Sequence, residues 1–156
     1  MSEIVVGLDP DSNKHGVSVY VDGALKELLM LDLPALRRWI AQQVRPLRFA
    51  IEDVLSQNFV YARNVQRSKA AQGVISVKIG RCQQAQAEVM RELDDQGIEY
   101  SLHKPTSSNW AENKPMFERM TGWKGRSNSE TRSAAYFGFV AVRQNRNLAS
   151  RKGTQS

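Results

Sequence analysis

The apolar run Ile4-Val5-Val6-Gly7-Leu8 ends in an acid, Asp9. A strand that is apolar at odd and even positions alike has no solvent face, so it belongs in the middle of a sheet covered on both sides. An ionisable group at its end is then held at the rim of a buried layer. Leu47–Val54 repeats the pattern, with Phe49-Ala50-Ile51 running into Glu52, an acid inside a strand where acids are disfavoured. A chain with two such strands has to build a sheet core that carries carboxylates at an edge.

The pattern between and after these runs sets the topology. Asp11-Ser12-Asn13 is turn chemistry, and His15–Val21 alternates with Val17, Val19 and Val21 on one face. Asp22-Gly23 is a strong hairpin signal, and Leu25–Leu31 returns as a third strand, so these three strands are expected to be antiparallel. Leu33, Leu36, Trp39, Ile40 and Val44 fall at helical spacing and predict a helix over Leu33–Val44. That crossover makes Leu47–Val54 a parallel neighbour of the first strand. From Phe59 to Gln96 the pattern is helical, with Gly73 and Gly80 arguing against one unbroken helix. Ile98–His103 is the last strand. Lys104–Asn109 is a loop, Trp110–Met120 a helix, and Thr121–Asn128 a flexible connection. Glu130–Arg143 closes the domain as an apolar helix, and residues 144–156 form a basic, disordered tail. The expectation is an α/β domain over residues 1–143, a mixed five-stranded sheet flanked by helices.

Bulk properties narrow the function. At 156 residues and 41% hydrophobic, the chain suffices for one globular domain. Its 22 Lys+Arg against 16 Asp+Glu give a net charge of +6, which favours a polyanionic partner. One cysteine, Cys82, excludes an internal disulfide and a cysteine-rich zinc site; it reads as an ordinary half-buried thiol on a helix. The two histidines, His15 and His103, are not at ligand spacing, so no zinc site is assigned, and His15 is expected to lie away from the acids. No stretch is apolar enough to cross a bilayer and no signal segment is evident, so a cytoplasmic protein without a membrane partner is expected.

If the first and fourth strands are parallel neighbours, Asp9 and Glu52 face each other across one strand spacing of about 4.8 Å. Carboxylates that close repel, so one takes a proton or both hold a cation. All-oxygen ligation suits Mg²⁺ or Mn²⁺, and two ions about 4 Å apart are suited to phosphodiester hydrolysis. Each acid alone also has a plainer reading. Asp9 before Pro10 suits a turn, Asp53 points to the opposite face as a solvated or ion-paired neighbour, and Glu130 after Ser127-Asn128-Ser129 suits a helix cap.

Taken in order, Gly7-Leu8-Asp9-Pro10-Asp11-Ser12 with Gly16-Val17 resembles the first strand and hairpin of the RuvC-type Holliday junction resolvases. Phe49-Ala50-Ile51-Glu52-Asp53-Val54 resembles that family's second acidic motif, and Asn58–Gly73 its long helix. Lys104-Pro105-Thr106 resembles the segment after the last strand. Thr121–Asn128 running into Glu130 resembles the C-terminal acidic motif. The likeness reaches residue 143 and is more like a phage or prophage member than a housekeeping bacterial one. It implies an RNase H-like fold, a homodimer, Mg²⁺ or Mn²⁺ (two ions per active site), and paired symmetric nicks in a four-way junction. The family's ligands carry over onto Asp9, Glu52 and Glu130. The fourth, an aspartate one helical turn after the third, is Ser133 here. A hydroxyl is a poorer ligand than a carboxylate, so this chain is expected to bind branched DNA and to cleave it poorly. A broader nuclease acting on forks and flaps, and a junction-binding protein without catalysis, remain as alternatives.

For holding DNA, Arg63, Arg67, Lys69, Lys78 and Arg81 dot the long helical segment, and Lys104, Lys114, Lys124 and Arg126 flank the acids. Lys104, Lys114 and Lys124 are the foremost candidates, one of them to stabilise charge on the scissile phosphate. For any one of these bases a solvated face is the favoured explanation, and the cluster around the acids weighs more. Phe59 and Tyr61 suit stacking on an unpaired base, with core packing as the alternative for Phe59. Trp39 and Trp110 read as core or cap residues.

Overall fold

A computed structural model of the chain describes residues 2–56, 69–106 and 109–153. Phe59, Tyr61, Arg63 and Arg67 lie outside the described residues, and Lys69 is placed by its backbone alone. The strands are β1 (Ile4–Asp9), β2 (His15–Val21), β3 (Ala24–Leu31), β4 (Leu47–Glu52) and β5 (Glu99–His103). The described helices are α1 (Leu33–Ala41), α2 (Lys69–Asp95), α3 (Lys114–Thr121) and α4 (Ser129–Gly153). The strands form one five-stranded sheet in the order β3-β2-β1-β4-β5. β1–β2 and β2–β3 are antiparallel, while β1–β4 and β4–β5 are parallel. Asp22 and Gly23 both adopt positive φ, 53° and 82°, as a tight type I′ hairpin requires.

Period-two alternation sorts β1 and β4 between two cores. Ile4, Val6, Leu8, Phe49 and Ile51 pack with Leu36 and Ile40 of α1 and Val89 and Leu93 of α2. Val5 and Ala50 face the other way, against Phe137, Ala141 and Val142 of α4. Asp9 shares parity with Val5, and Glu52 with Ala50, so both acids fall on the α4 side of the sheet.

Helix α4 lies close on that face because the residues beneath it are small. An added Cβ at Gly7 would overlap the Ala134 carbonyl oxygen, and one at Gly16 would overlap the carbonyl of Glu130. Ser18 Oγ donates to the Ala134 carbonyl at 2.8 Å and Tyr20 Oη to the Ala135 carbonyl at 2.6 Å. A third cluster, Trp110, Phe117 and Ala135, ties α3 and the preceding turn to α4.

Several boundaries differ from the pattern in the sequence. Helix α1 stops at Ala41, so Val44 is 85% exposed instead of completing an apolar stripe. Helix α2 runs unbroken from Lys69 to Asp95, because Gly73 and Gly80 sit where propensity is weakened but no hydrogen bond is lost. Helix α3 starts at Lys114 instead of Trp110, since Asn113 caps it by accepting from Met116 N and Pro115 suits its first turn. Helix α4 continues to Gly153 instead of ending at Arg143, so residues 144–153, expected as a disordered basic tail, extend the helix. Among the described residues, no helix is long and apolar enough to cross a membrane.

The tight seat of α4 makes a testable distinction between glycines. Gly7→Ala should lower stability by about 2–3 kcal/mol through overpacking. Gly80→Ala, where the added methyl meets nothing within 4 Å, should raise it by about 0.5–1 kcal/mol. Urea midpoints of the two variants check both signs.

Candidate functional site

Three elements place the acids. In the parallel β1–β4 ladder Leu8 pairs with Ile51, which sets Asp9 beside Glu52 at the carboxyl ends of the strands. In the β1–β2 ladder Asp9 pairs with Gly16, whose bare face receives the backbone of Glu130. Glu130 stands in the first turn of α4, where an acid complements the helix dipole. Ser133 follows one turn later on the same side and is buried.

The carboxyl groups meet in pairs. Asp9 hydrogen-bonds to Glu52, and burial, followed by the charge of Glu52, pushes Asp9 up to about 9. Glu130 raises it further, while the Ser133 hydroxyl, donating to Asp9, works the other way. Glu130 pairs in turn with Asp11 of the β1–β2 turn. Burial and the Asp11 contact raise Glu130 to about 7, against the lowering effect of Lys78. Asp11 itself is partly desolvated, but hydrogen bonds from Glu130 and from Asn13 and Ser12 hold it below the usual range. Asp9 therefore holds its proton well above the ordinary carboxyl range, and Glu130 does so to a lesser degree. Among the described residues no three His, Cys, Asp or Glu side chains converge closely enough to grip an ion as they stand. What the site presents is carboxyl oxygens in two pairs, Asp9 with Glu52 and Glu130 with Asp11.

The loop after β5 is fastened across α4. Arg132 donates from Nε and Nη2 to the Ala111 carbonyl at 3.1 and 2.8 Å, and from Nη1 to Ser127 Oγ at 3.0 Å. Asn109 Nδ2 donates to Ser133 Oγ at 3.4 Å, and Asn109 Oδ1 accepts from Ala111 N at 2.8 Å. Ser133 therefore has a partner on each side, Asn109 and Asp9.

The basic residues divide. Lys78 on α2 brings its charge to Glu130 and to the Cys82 thiol, whereas Arg81, Lys104, Lys114, Lys124 and Arg126 are exposed. Arg81 lines a cavity of about 360 Å³ with Ser12, Gln84, Ala85 and Glu88. Asp53 is held by Gln86, whose Nε2 donates to Asp53 Oδ1 at 3.0 Å. His15 Nδ1 accepts from the Asp11 backbone N–H at 3.2 Å. Cys82 is half-buried as expected; burial raises its thiol, and the charges of Asp11 and Asp9 raise it further. Asp11, Asn109 and Arg132 escaped the sequence reading. The spacing of Asp9 and Asp11 across a turn was a signal for the first, and nothing local marks the other two.

The sheet order with α4 on one face and α1 and α2 on the other defines an RNase H-like fold. Within that class, the chain is similar to solved structures of RuvC from Thermus thermophilus. One, RuvC in complex with Holliday junction substrate, superposes with a TM-score of 0.57 at 18% identity, over 94% of this chain and 97% of that one. Another, the T. thermophilus RuvC structure, gives 0.50 at 19% identity, over 92% and 96%. No family model and no curated protein matches the chain. The likeness therefore establishes the fold.

A carboxyl whose folded pKa stands above its unfolded value keeps its proton after the unfolded chain has lost it. The native state then binds more protons, and stability falls as pH rises. With Asp9 moved from 3.8 to about 9, that loss spans the interval between those values. In EDTA the urea midpoint should decline from pH about 5 to about 9, and Asp9→Asn should flatten the decline. At pH about 8 the variant should be the more stable form, by on the order of 2 kcal/mol.

Proposed function

We propose that the chain is a divalent-metal-dependent, structure-selective endodeoxyribonuclease that resolves Holliday junctions, as a homodimer, by paired symmetric nicks. The observation that carries this reading is the contact of the Asp9 and Glu52 carboxyls at the sheet edge, where Asp9 also feels the charge of Glu130, in a fold similar to RuvC. One of the similar structures, T. thermophilus RuvC, is in complex with Holliday junction substrate, which favours branched DNA over a linear duplex here.

The donor set fits Mg²⁺ or Mn²⁺, two ions per site. The acids are hard oxygen donors, and the protons they share are the positive charge that a cation would replace. Asp9 and Glu52 would be the central ligands and Glu130 a peripheral one. A bound ion would acidify the attacking water and neutralise charge on the phosphodiester. The chain's own side chains do the rest. Ser133 orients Asp9 through its hydroxyl, and Asn109 and Arg132 fasten the segment around Ala111 to α4. Lys78, whose charge lowers Glu130, would meet the scissile phosphate, and Arg81, Lys104, Lys114, Lys124 and Arg126 would contact flanking phosphates. From the sequence alone, Arg63, Arg67 and Lys69 would add phosphate contacts, and Phe59 and Tyr61 would stack on unpaired bases at the crossover. Helix α2 provides the dimer surface. Val77 on it is 54% exposed, and around Gly73 and Gly80 no described atom lies within 4 Å of an added Cβ. Two-fold symmetry in the protein then matches that of the junction.

The test is a synthetic four-way junction labelled on each strand, with linear duplex and flap controls, in Mg²⁺ and in Mn²⁺. Paired nicks at symmetric positions are expected, with Glu52→Gln at least about 100-fold slower and junction affinity retained. Equal cutting of flap and junction would make this a broader branched-DNA nuclease. Tight junction binding without cleavage would make it a binding protein.

A further inference from the structure

The nuclease reading needs Glu52 to be held beside Asp9, yet Glu52 is the last residue of β4 and the chain turns off the sheet directly after it. We infer that Gln86 of α2 is the positioning residue of the site: it fixes the backbone just past Glu52 and so keeps the Glu52 carboxyl against Asp9. This rests on the nuclease reading above and adds to it a residue that acts through Glu52.

The ladder with β5 reaches one residue beyond Glu52, where Asp53 N donates to the His103 carbonyl at 2.7 Å. From there helix α2 takes over from the sheet. Gln86 Oε1 accepts from Val54 N at 2.7 Å and from Leu55 N at 3.0 Å, and Gln86 Nε2 donates to Asp53 Oδ1 at 3.0 Å. One turn earlier on the helix, Gln83 Nε2 donates to the Val54 carbonyl at 3.1 Å. A carboxamide that meets backbone donors at one end and a carboxylate at the other fits only one way round, so its orientation is set along with its place. Alternation sends Asp53 toward α2 and Glu52 toward α4. Holding Asp53 from one face of the sheet therefore orients Glu52 on the other.

Packing alone does not call for a glutamine here. Gln86 is fully buried, on the face of α2 that gives Val89 and Leu93 to the core. An apolar side chain would fill that space without the cost of desolvating an amide. The bonds that offset this cost go to one stretch of chain, the residues that follow Glu52, and to Met90 Sδ on the same helix at 3.5 Å. What glutamine supplies and leucine cannot is a fixed exit for β4.

The test compares the full chain with Gln86→Leu, Gln86→Glu, and Gln86→Glu combined with Asp53→Asn, each verified as folded by its urea midpoint. In Gln86→Glu alone two carboxylates face each other. In the combined variant the new carboxylate still accepts both backbone N–H groups and the new asparagine donates the bond that Gln86 donated, so the clamp is rebuilt with its polarity reversed. Carboxyl carbon NMR signals of Asp9 and Glu52 are recorded at one pH without metal or DNA, with Asp22 on the hairpin as reference. Nicking of a four-way junction in Mg²⁺ is timed at saturating protein, beside junction affinity. Each single variant should displace the Asp9 and Glu52 signals but not that of Asp22, and slow nicking at least about tenfold with junction affinity kept within about twofold. The combined variant should restore both. Unmoved Asp9 and Glu52 signals, or an unslowed rate, in whichever single variant folds would overturn the assignment, as would a combined variant that restores neither. Signals that move and return as expected in a chain whose wild type does not nick would overturn the nuclease reading and leave Gln86 as the residue that holds Glu52.

Discussion

Everything about the site follows from how closely α4 lies on β1 and β2. Gly7 and Gly16 remove the side chains that would hold it off, and Ser18 and Tyr20 reach through the gap to the carbonyls of Ala134 and Ala135. Those two bonds, buried and short, fix the helix along its axis as well as in height. With α4 in that place, its first turn comes to rest over the end of β1. A helix a methyl group farther away would leave Glu130 and Ser133 out of reach of Asp9.

The same packing explains why the acids are tolerated. Strand alternation sends the bulky residues of β1 and β4 toward α1 and α2, and leaves Gly7, Ala50, Asp9 and Glu52 for α4. Charged groups forced together at a half-buried edge cost free energy, which they reduce by sharing protons. Such a cost is not explained by stability, and at functional sites strain of this kind is the usual exception. Lys78 supplies part of the positive charge that relieves it.

Much of this was legible in the chain. The apolar runs around Val6 and Phe49, the Asp22-Gly23 turn and the helical crossover together dictate the sheet order and the parallel pairing of β1 with β4. From that pairing the proximity of Asp9 and Glu52 follows by parity alone. Boundaries were less legible where capping competes with periodicity. Val44 has the spacing of a helical stripe but lies beyond the end of α1, and Trp110 is apolar because it packs on Phe117 and Ala135, not because it is helical. The Asp11–Glu130 pair was hidden for a different reason. A turn acid looks the same in sequence whether it faces water or another carboxyl, and only the closeness of α4 decides between them. Asn109 and Arg132 act through a long-range loop contact that leaves no local pattern.

The central claim is that the carboxylates at the end of β1 and β4 form a cation site completed by the first turn of α4. Crystals grown with Mn²⁺, with diffraction recorded at the manganese absorption edge, test it without reference to any reaction. The account predicts an anomalous peak within about 2.0–2.2 Å of carboxylate oxygens of Asp9 and Glu52, on the side facing Glu130. Manganese bound only at other side chains, with Asp9 and Glu52 still sharing a proton, would contradict it.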